Sequence, residues 1–439
     1  MKLWKGMHLA AAVIVAALCI MAPPGLYGLG GSEPEAETEP ESPDESPDAG
    51  DPETESMPVP EDGEEELPTD PAIDESLLGE LLDLTPGEAR DAISDKSVPD
   101  QVRYALVLSQ RSLLSGDRSG ALEWAEWAEE TAGEHGDAEL MGDVLLTRSR
   151  ISDLSGNVRA AVSQARRAAS SYADAGLSAL ELNALATLAN AQHRLGLLTD
   201  GIETADRVIE RLDELEGVAA QGHVLANAAM MRYKIGRFSG LSEMLERAHE
   251  LFEEAGDRDG IGTVYRIWGN YYGAQGDDET ALDYYRRAAT EYELTGNLHD
   301  YANVSFNTGL TKMRAGSHSE AVEYLEEAVD GFLEAGSISG AGMAATELSV
   351  ALWMVGRPEE ADSALASAIG MLEATQSLRR LARAYTVRSS IQNVIGDEEG
   401  ARDSLREARN LYDELGLREE ADAIQRELDE LGDDRDGGI

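Results

Sequence analysis

Cysteine occurs once in the 439 residues, at Cys19, so the chain can close no internal disulfide and build no cysteine-based zinc site. Positive charge is also scarce. There are 36 Lys or Arg against 85 Asp or Glu, a formal net charge of −49, and only five of the cations are lysine. That imbalance excludes nucleic acid as a partner, because phosphate binding needs a basic face. Proline thins out along the chain. Beyond residue 75 only Pro86, Pro99 and Pro358 remain, each where a first helical turn is expected. Aromatic residues are 5% of the total, and alanine and leucine carry much of the apolar content, which favours helices. Signatures of chemistry are missing as well. There is no Walker loop, no GxSxG and no HExxH, and no two of the seven histidines stand at i,i+4. "GAGMAA" at Gly340–Ala345 imitates part of a dinucleotide fingerprint, but no strand precedes it. The chain therefore reads as a non-enzyme, with no catalytic residue, metal ligand or cofactor to assign.

Lys2 and Lys5 precede a largely apolar run from Met7 to Ala22 that stops at Pro23-Pro24. The run is shorter than the ~20 residues of a membrane span. Gly28-Leu29-Gly30 offers small residues where a signal peptidase reads. Residues 1–31 are thus expected to be a cleaved secretory signal or a retained N-terminal anchor. Either places the protein outside the cytoplasm, periplasmic or secreted, with membrane contact only through that segment. The "AALC" before Cys19 reverses the leucine and small residue of a lipoprotein signal. Ser32–Glu75 then holds 19 acidic residues and no Lys or Arg, with recurrent proline. Such a segment repels itself and has too little apolar surface to repay ordering. It is expected to be a disordered acidic tether over 32–75, its ends ~35–40 Å apart. Residues 76–97 are expected to form two short helices leading into the main body, with a capping box at "TPGE", Thr85–Glu88.

The main body repeats. Glycine stands at 116, 156, 196, 236, 276, 316, 356 and 396, a spacing of 40 residues every time. A second series, Gly136, Gly176, Gly256, Gly296, Gly336 and Gly416, falls midway and lapses at Glu216 and Gln376. A helix stop every 20 residues or so follows, since glycine takes the left-handed conformation that closes a helix. Seven residues before each first-series glycine sits a small residue: Ser109, Ser149, Ala189, Ala229, Gly269, Gly309, Ser349 and Ser389. A second small column runs five residues after it, Ala121, Ala161, Gly201, Leu241, Ala281, Ala321, Ala361 and Ala401. A third lies seven further on, from Ala128 to Ala408, on the same helix face. Each unit is two antiparallel helices packed closely through small side chains.

"WGNYYGAQGDDETALDYYRRA" at Trp268–Ala288 resembles the tetratricopeptide repeat, with Gly269, Tyr272, Gly276, Ala281, Tyr285 and Ala288 on its signature places. The resemblance is to the longer, 40-residue variety and covers residues 98–416 as eight repeats, with 417–439 as a charged C-terminal capping helix and acidic tail. It implies an all-α solenoid, a right-handed superhelix of about eight helical hairpins. It also implies that the first helix of each repeat lines a concave face and the second a convex one. Leu241 departs from the usual alanine, so the fourth repeat is expected to pack differently.

Charge sorts between the two helices. The eight first-helix segments hold 15 Lys or Arg against 10 Asp or Glu, and the eight second-helix segments 14 against 42. The implied concave face is mildly basic and draws anionic ligands. On it, Asn190 and Asn270 follow the small residue of their helices, while Asn227 and Asn307 precede it by two, one repeat later. These resemble the asparagines with which tetratricopeptide clamps hold a peptide backbone, an amide both donating and accepting. Arg266 lies one turn before Asn270, and Arg194, Lys234 and Arg314 share a further column. Met343 and Glu347 stand where a full carboxylate clamp has basic or polar groups. The expected function is an extracytoplasmic scaffold whose groove binds an extended, anionic protein or peptide segment. Two alternatives are an autoinhibited module whose tether fills the groove, and an architectural protein that oligomerises.

Overall fold

In a computed structural model the described residues are 74–433, apart from 83, 116 and 155–156. The expected signal or anchor segment with Cys19, the expected tether up to residue 73, Gly116, Gly156 and the last six residues lie outside them. Every regular element among the described residues is a helix.

Contacts divide the chain into two compact units that meet between Gly260 and Ile261. The first begins with two short helices, α1 (Glu75–Leu82) and α2 (Pro86–Ala92). Thr85 opens α2 with a full capping box, its hydroxyl taking the Glu88 amide N–H and Glu88 reaching back to Thr85. Four hairpins follow: α3 (Val98–Leu114) with α4 (Arg118–His135), α5 (Ala138–Leu154) with α6 (Val158–Ala175), α7 (Ser178–Arg194) with α8 (Leu198–Ile209), and α9 (Val218–Lys234) with α10 (Leu241–Ala255). The division between units falls in the first turn of α11 (Arg258–Ala274). The second unit pairs α11 with α12 (Asp278–Thr295), α13 (Leu298–Arg314) with α14 (His318–Glu334), α15 (Ile338–Met354) with α16 (Pro358–Ala374), and α17 (Leu378–Ile395) with α18 (Glu398–Glu414). It closes with α19 (Arg418–Asp433), whose Ala421 and Ile424 are buried with Leu405 and Tyr412 of α18.

The glycine columns stop helices in the way their spacing implies. Every described member of both series has φ between +69° and +85°. Gln376, where the second series lapses, still adopts φ +55° and carries the strain of a Cβ there. At the other lapse the third repeat changes shape. Its second helix, α8, stops at Ile209 after 12 residues, a 3₁₀ turn covers Leu212–Glu214, and Gly217 supplies the positive φ. In the fourth repeat α10 starts at Leu241, five residues after Gly236, whereas α12, α14, α16 and α18 start two residues after theirs. Leu241 is fully buried in that delayed first turn.

Small columns set how closely helices approach. All eight residues of the first column are buried. Ser109 and Ser149 bond the carbonyls of Ala121 and Ala161, the second column, at 2.6 and 2.9 Å. A Cβ on Gly269 would sit 2.4 Å from Cε1 of Tyr285, so the glycine is the space the ring fills. A further column carries the large side chains: Tyr172, Phe252, Tyr292, Phe332, Leu372 and Tyr412, each at most 4% exposed and 40 or 80 residues from the next. Their rings press on glycines of the first helices, Tyr172 on Gly142, Phe252 on Gly222 and Tyr292 on Gly262. Each such side chain contributes about 1.5–3 kcal/mol by burial.

Candidate functional site

In the second unit the structure brings two of the asparagines together. Asn307, on α13, donates its side-chain N–H to Asn270 Oδ1, on α11, at 3.2 Å. The Tyr285 hydroxyl, from α12, donates to the same Oδ1 at 2.9 Å. Tyr285 is 4% exposed, so its ring is a rigid prop that fixes the Asn270 amide. The pair retains the NH2 group of Asn270 as donor and the amide oxygen of Asn307 as acceptor, the two functions that a peptide bond complements.

One turn before Asn270, the Arg266 side chain is mostly buried. Its Nε lies 4.0 Å from Asp300 Oδ1 and has no hydrogen-bond partner. Burial opposes the guanidinium charge, but Tyr292 and Asp300 outweigh it and hold Arg266 firmly protonated. The Tyr292 hydroxyl, 3.1 Å from Thr263 Oγ1, is itself pushed up to about 12 by burial. Arg314, at the end of α13, donates through Nε to Asp278 Oδ1 at 2.9 Å. A Cβ on Gly273 would meet the Arg314 guanidinium at 3.3 Å. Along the same row Glu347 replaces the amide. It is buried in an ion pair with Arg383 at 2.9 Å, and its Oε2 has no partner.

In the first unit Asn190 is exposed and Asn227 half-buried, and neither side chain is hydrogen-bonded among the described residues. Arg194 is paired with Asp153 of the preceding repeat, whose carboxyl burial pushes up despite the arginine. Lys234 Nζ lies 3.0 Å from His193 Nε2. The four predicted cations are therefore engaged within the protein, and three of them face a carboxylate. Tyr285 stood in the sequence only as a repeat-signature residue, and Asp153 and Asp278 went unnoticed. The carboxylates carry a signal nonetheless, since they stand 41 and 36 residues from Arg194 and Arg314, about one repeat. Among the described residues no three His, Cys, Asp or Glu gather as metal ligands, and no helix is long and apolar enough to cross a membrane.

Hairpins repeated every 40 residues, with polar rows on successive first helices, define an α-solenoid. Residues 261–334 match the family model for the tetratricopeptide repeat. No curated protein matches the sequence. Among solved structures it is similar to a Rap protein complexed with competence and sporulation factor, at 15% identity and a TM-score of 0.53, covering 76% of this chain and 98% of that one. It is similar to the apo form of RapI at 12% identity and a TM-score of 0.53, covering 63% and 99%. A signal-transduction ATPase from Pyrococcus horikoshii with a tetratricopeptide-repeat sensor matches at 16% identity and a TM-score of 0.54, covering 79% of this chain and 54% of that one. At these identities the likeness is one of fold.

Proposed function

We propose that this protein is an exported scaffold that binds an extended protein segment along its first helices, with the Asn270–Asn307 pair gripping the segment's backbone. The amide pair carries the reading. Two asparagines from neighbouring repeats are held against each other and against Tyr285, with the Asn270 NH2 group and the Asn307 oxygen to spare. A polar surface built only for solubility has no need of a buried tyrosine to orient an amide. The solved complex of a Rap protein with competence and sporulation factor lends support, since the two folds are alike.

The segment is anionic in this reading. Arg266 and Arg314 flank the amide pair, and each shares its charge with a single carboxylate, so a ligand carboxylate competes for the same guanidinium fork. Because the internal ion pairs open or bifurcate on binding, charge contributes modestly and the amides more. Export rests on the N-terminal sequence described above.

An array of extended acidic peptides, paired with copies in which Glu and Asp become Gln and Asn, tests the proposal. Asn270→Ala and Asn307→Ala should each weaken the best binder about tenfold, an amount typical for a lost pair of hydrogen bonds. The Gln/Asn copies should bind several-fold more weakly, with the difference vanishing at high salt. Unchanged affinity in both alanine variants would refute the proposal.

A further inference from the structure

The third repeat contains a cleft of about 540 Å³ that takes no part in the asparagine row. Its size suits a small ligand. One face of α7 forms the floor, with Leu185, Leu188 and Gln192, and α6 and α8 form the walls. Gln192 is only 3% exposed, yet its Oε1 has no hydrogen-bond partner.

Other repeats fill the corresponding place. Residues 12 apart in this register meet across the hairpin. In the eighth repeat Ser404 donates to Gln392 Oε1 at 2.7 Å. In the fifth, Tyr272 and Tyr284 stack with centroids 5.5 Å apart. In the second, an amide atom of Gln164 lies 2.8 Å from Ser152 Oγ. In the third repeat the corresponding pair is Gln192 and Thr204, and they are not bonded. Thr204 turns its hydroxyl to the Asp200 carbonyl at 2.9 Å instead, so the acceptor of Gln192, a residue that lines the cleft, has no partner. The rim holds three carboxylates, Glu181, Asp200 and Glu203, against the guanidiniums of Arg166 and Arg207. Arg207 is already 3.7 Å from Glu181.

We propose that this cleft binds an organic cation, a primary ammonium on a short aliphatic stem. The ammonium donates to Gln192 Oε1, its charge is met by Asp200 and Glu203, and the stem lies on Leu185 and Leu188. Three carboxylates against two guanidiniums disfavour an anion, and a purely apolar ligand leaves the glutamine unsatisfied. A free diamine and a lysine side chain of a partner present the same chemistry.

Isothermal titration of the full chain with cadaverine, N-acetyl-lysine amide and glutarate tests the assignment. Cadaverine or the lysine amide should bind one to one, and glutarate should not. The tighter of the two cations tells a free diamine from a lysine side chain. Gln192→Leu should weaken the tighter cation at least about tenfold, roughly one charge-assisted hydrogen bond. Glu203→Gln alters only an exposed rim residue that does not endanger folding, and it should weaken binding several-fold. Failure of both cations to bind, equal binding of glutarate, or unchanged affinity in both variants would overturn the proposal.

Discussion

Replacing Gly269 by alanine probes the link between close packing and the candidate site. A Cβ there would stand 2.4 Å from Cε1 and 2.5 Å from Cδ1 of Tyr285, well inside contact distance. The ring is 4% exposed and tied to Asn270 by its hydroxyl at 2.9 Å, so it cannot withdraw without breaking that bond. Overpacking costs about 1–3 kcal/mol. The lost hydrogen bond adds about 0.5–1.5 kcal/mol, and the better helix propensity of alanine returns about 1 kcal/mol. Gly269→Ala should therefore destabilise by about 1–3 kcal/mol in urea unfolding followed by circular dichroism. In the fourth repeat the corresponding positions hold Ala229 and the smaller Leu245, and both are fully buried. Adding Tyr285→Leu to Gly269→Ala should restore stability relative to Gly269→Ala alone, a favourable coupling in the double-mutant cycle. It should not restore ligand binding, since the prop under Asn270 is gone. If Gly269→Ala is neutral, or the second substitution makes matters worse, the steric argument is wrong.

Three further outcomes follow from local geometry. Gln376→Gly should stabilise by about 1 kcal/mol, because a non-glycine residue at φ +55° bears left-handed strain; the same unfolding assay measures it. Arg383→Met strands the buried Glu347 carboxylate and should cost up to about 3–5 kcal/mol, while Glu347→Leu with Arg383→Met should come near neutral. Asp257 accepts from His223 at 3.2 Å and from the Gly260 amide at 2.8 Å, and the histidine bond, outweighing burial, holds its carboxyl below the usual range. A depressed carboxyl stabilises the fold above its unfolded value of about 3.9, and that contribution disappears as pH falls through the lower folded value. Asp257→Asn should thus flatten the loss of stability below about pH 4, read from urea midpoints between pH 7 and pH 3.

Much of the architecture was legible in one dimension. Glycine every 40 residues marks helix ends because few other residues take a positive φ cheaply, and the small columns mark seams because only small residues allow helices that near. The two lapses in the second series were legible as positions but not as outcomes. Gln376 keeps the turn at a cost, whereas Glu216 goes with an early end to α8 and a 3₁₀ turn. The aromatic column of Tyr172, Phe252, Tyr292 and Phe332 also carries the 40-residue period, yet it escaped notice because the rings pack on glycines of a different helix. Of the site, the Asn270–Asn307 neighbourhood was readable from the repeat register, and the bond from Tyr285 beneath it was not.

By itself the sequence determined a helical hairpin repeated along residues 98–416, because period, helix stops and small-residue spacing are local properties that one repeat states and the next repeats. Only the tertiary structure decided which polar groups meet. Arg194 turns to Asp153, Arg314 to Asp278, and Gln192 to nothing, since such choices depend on side-chain reach across neighbouring helices at separations of a few ångströms.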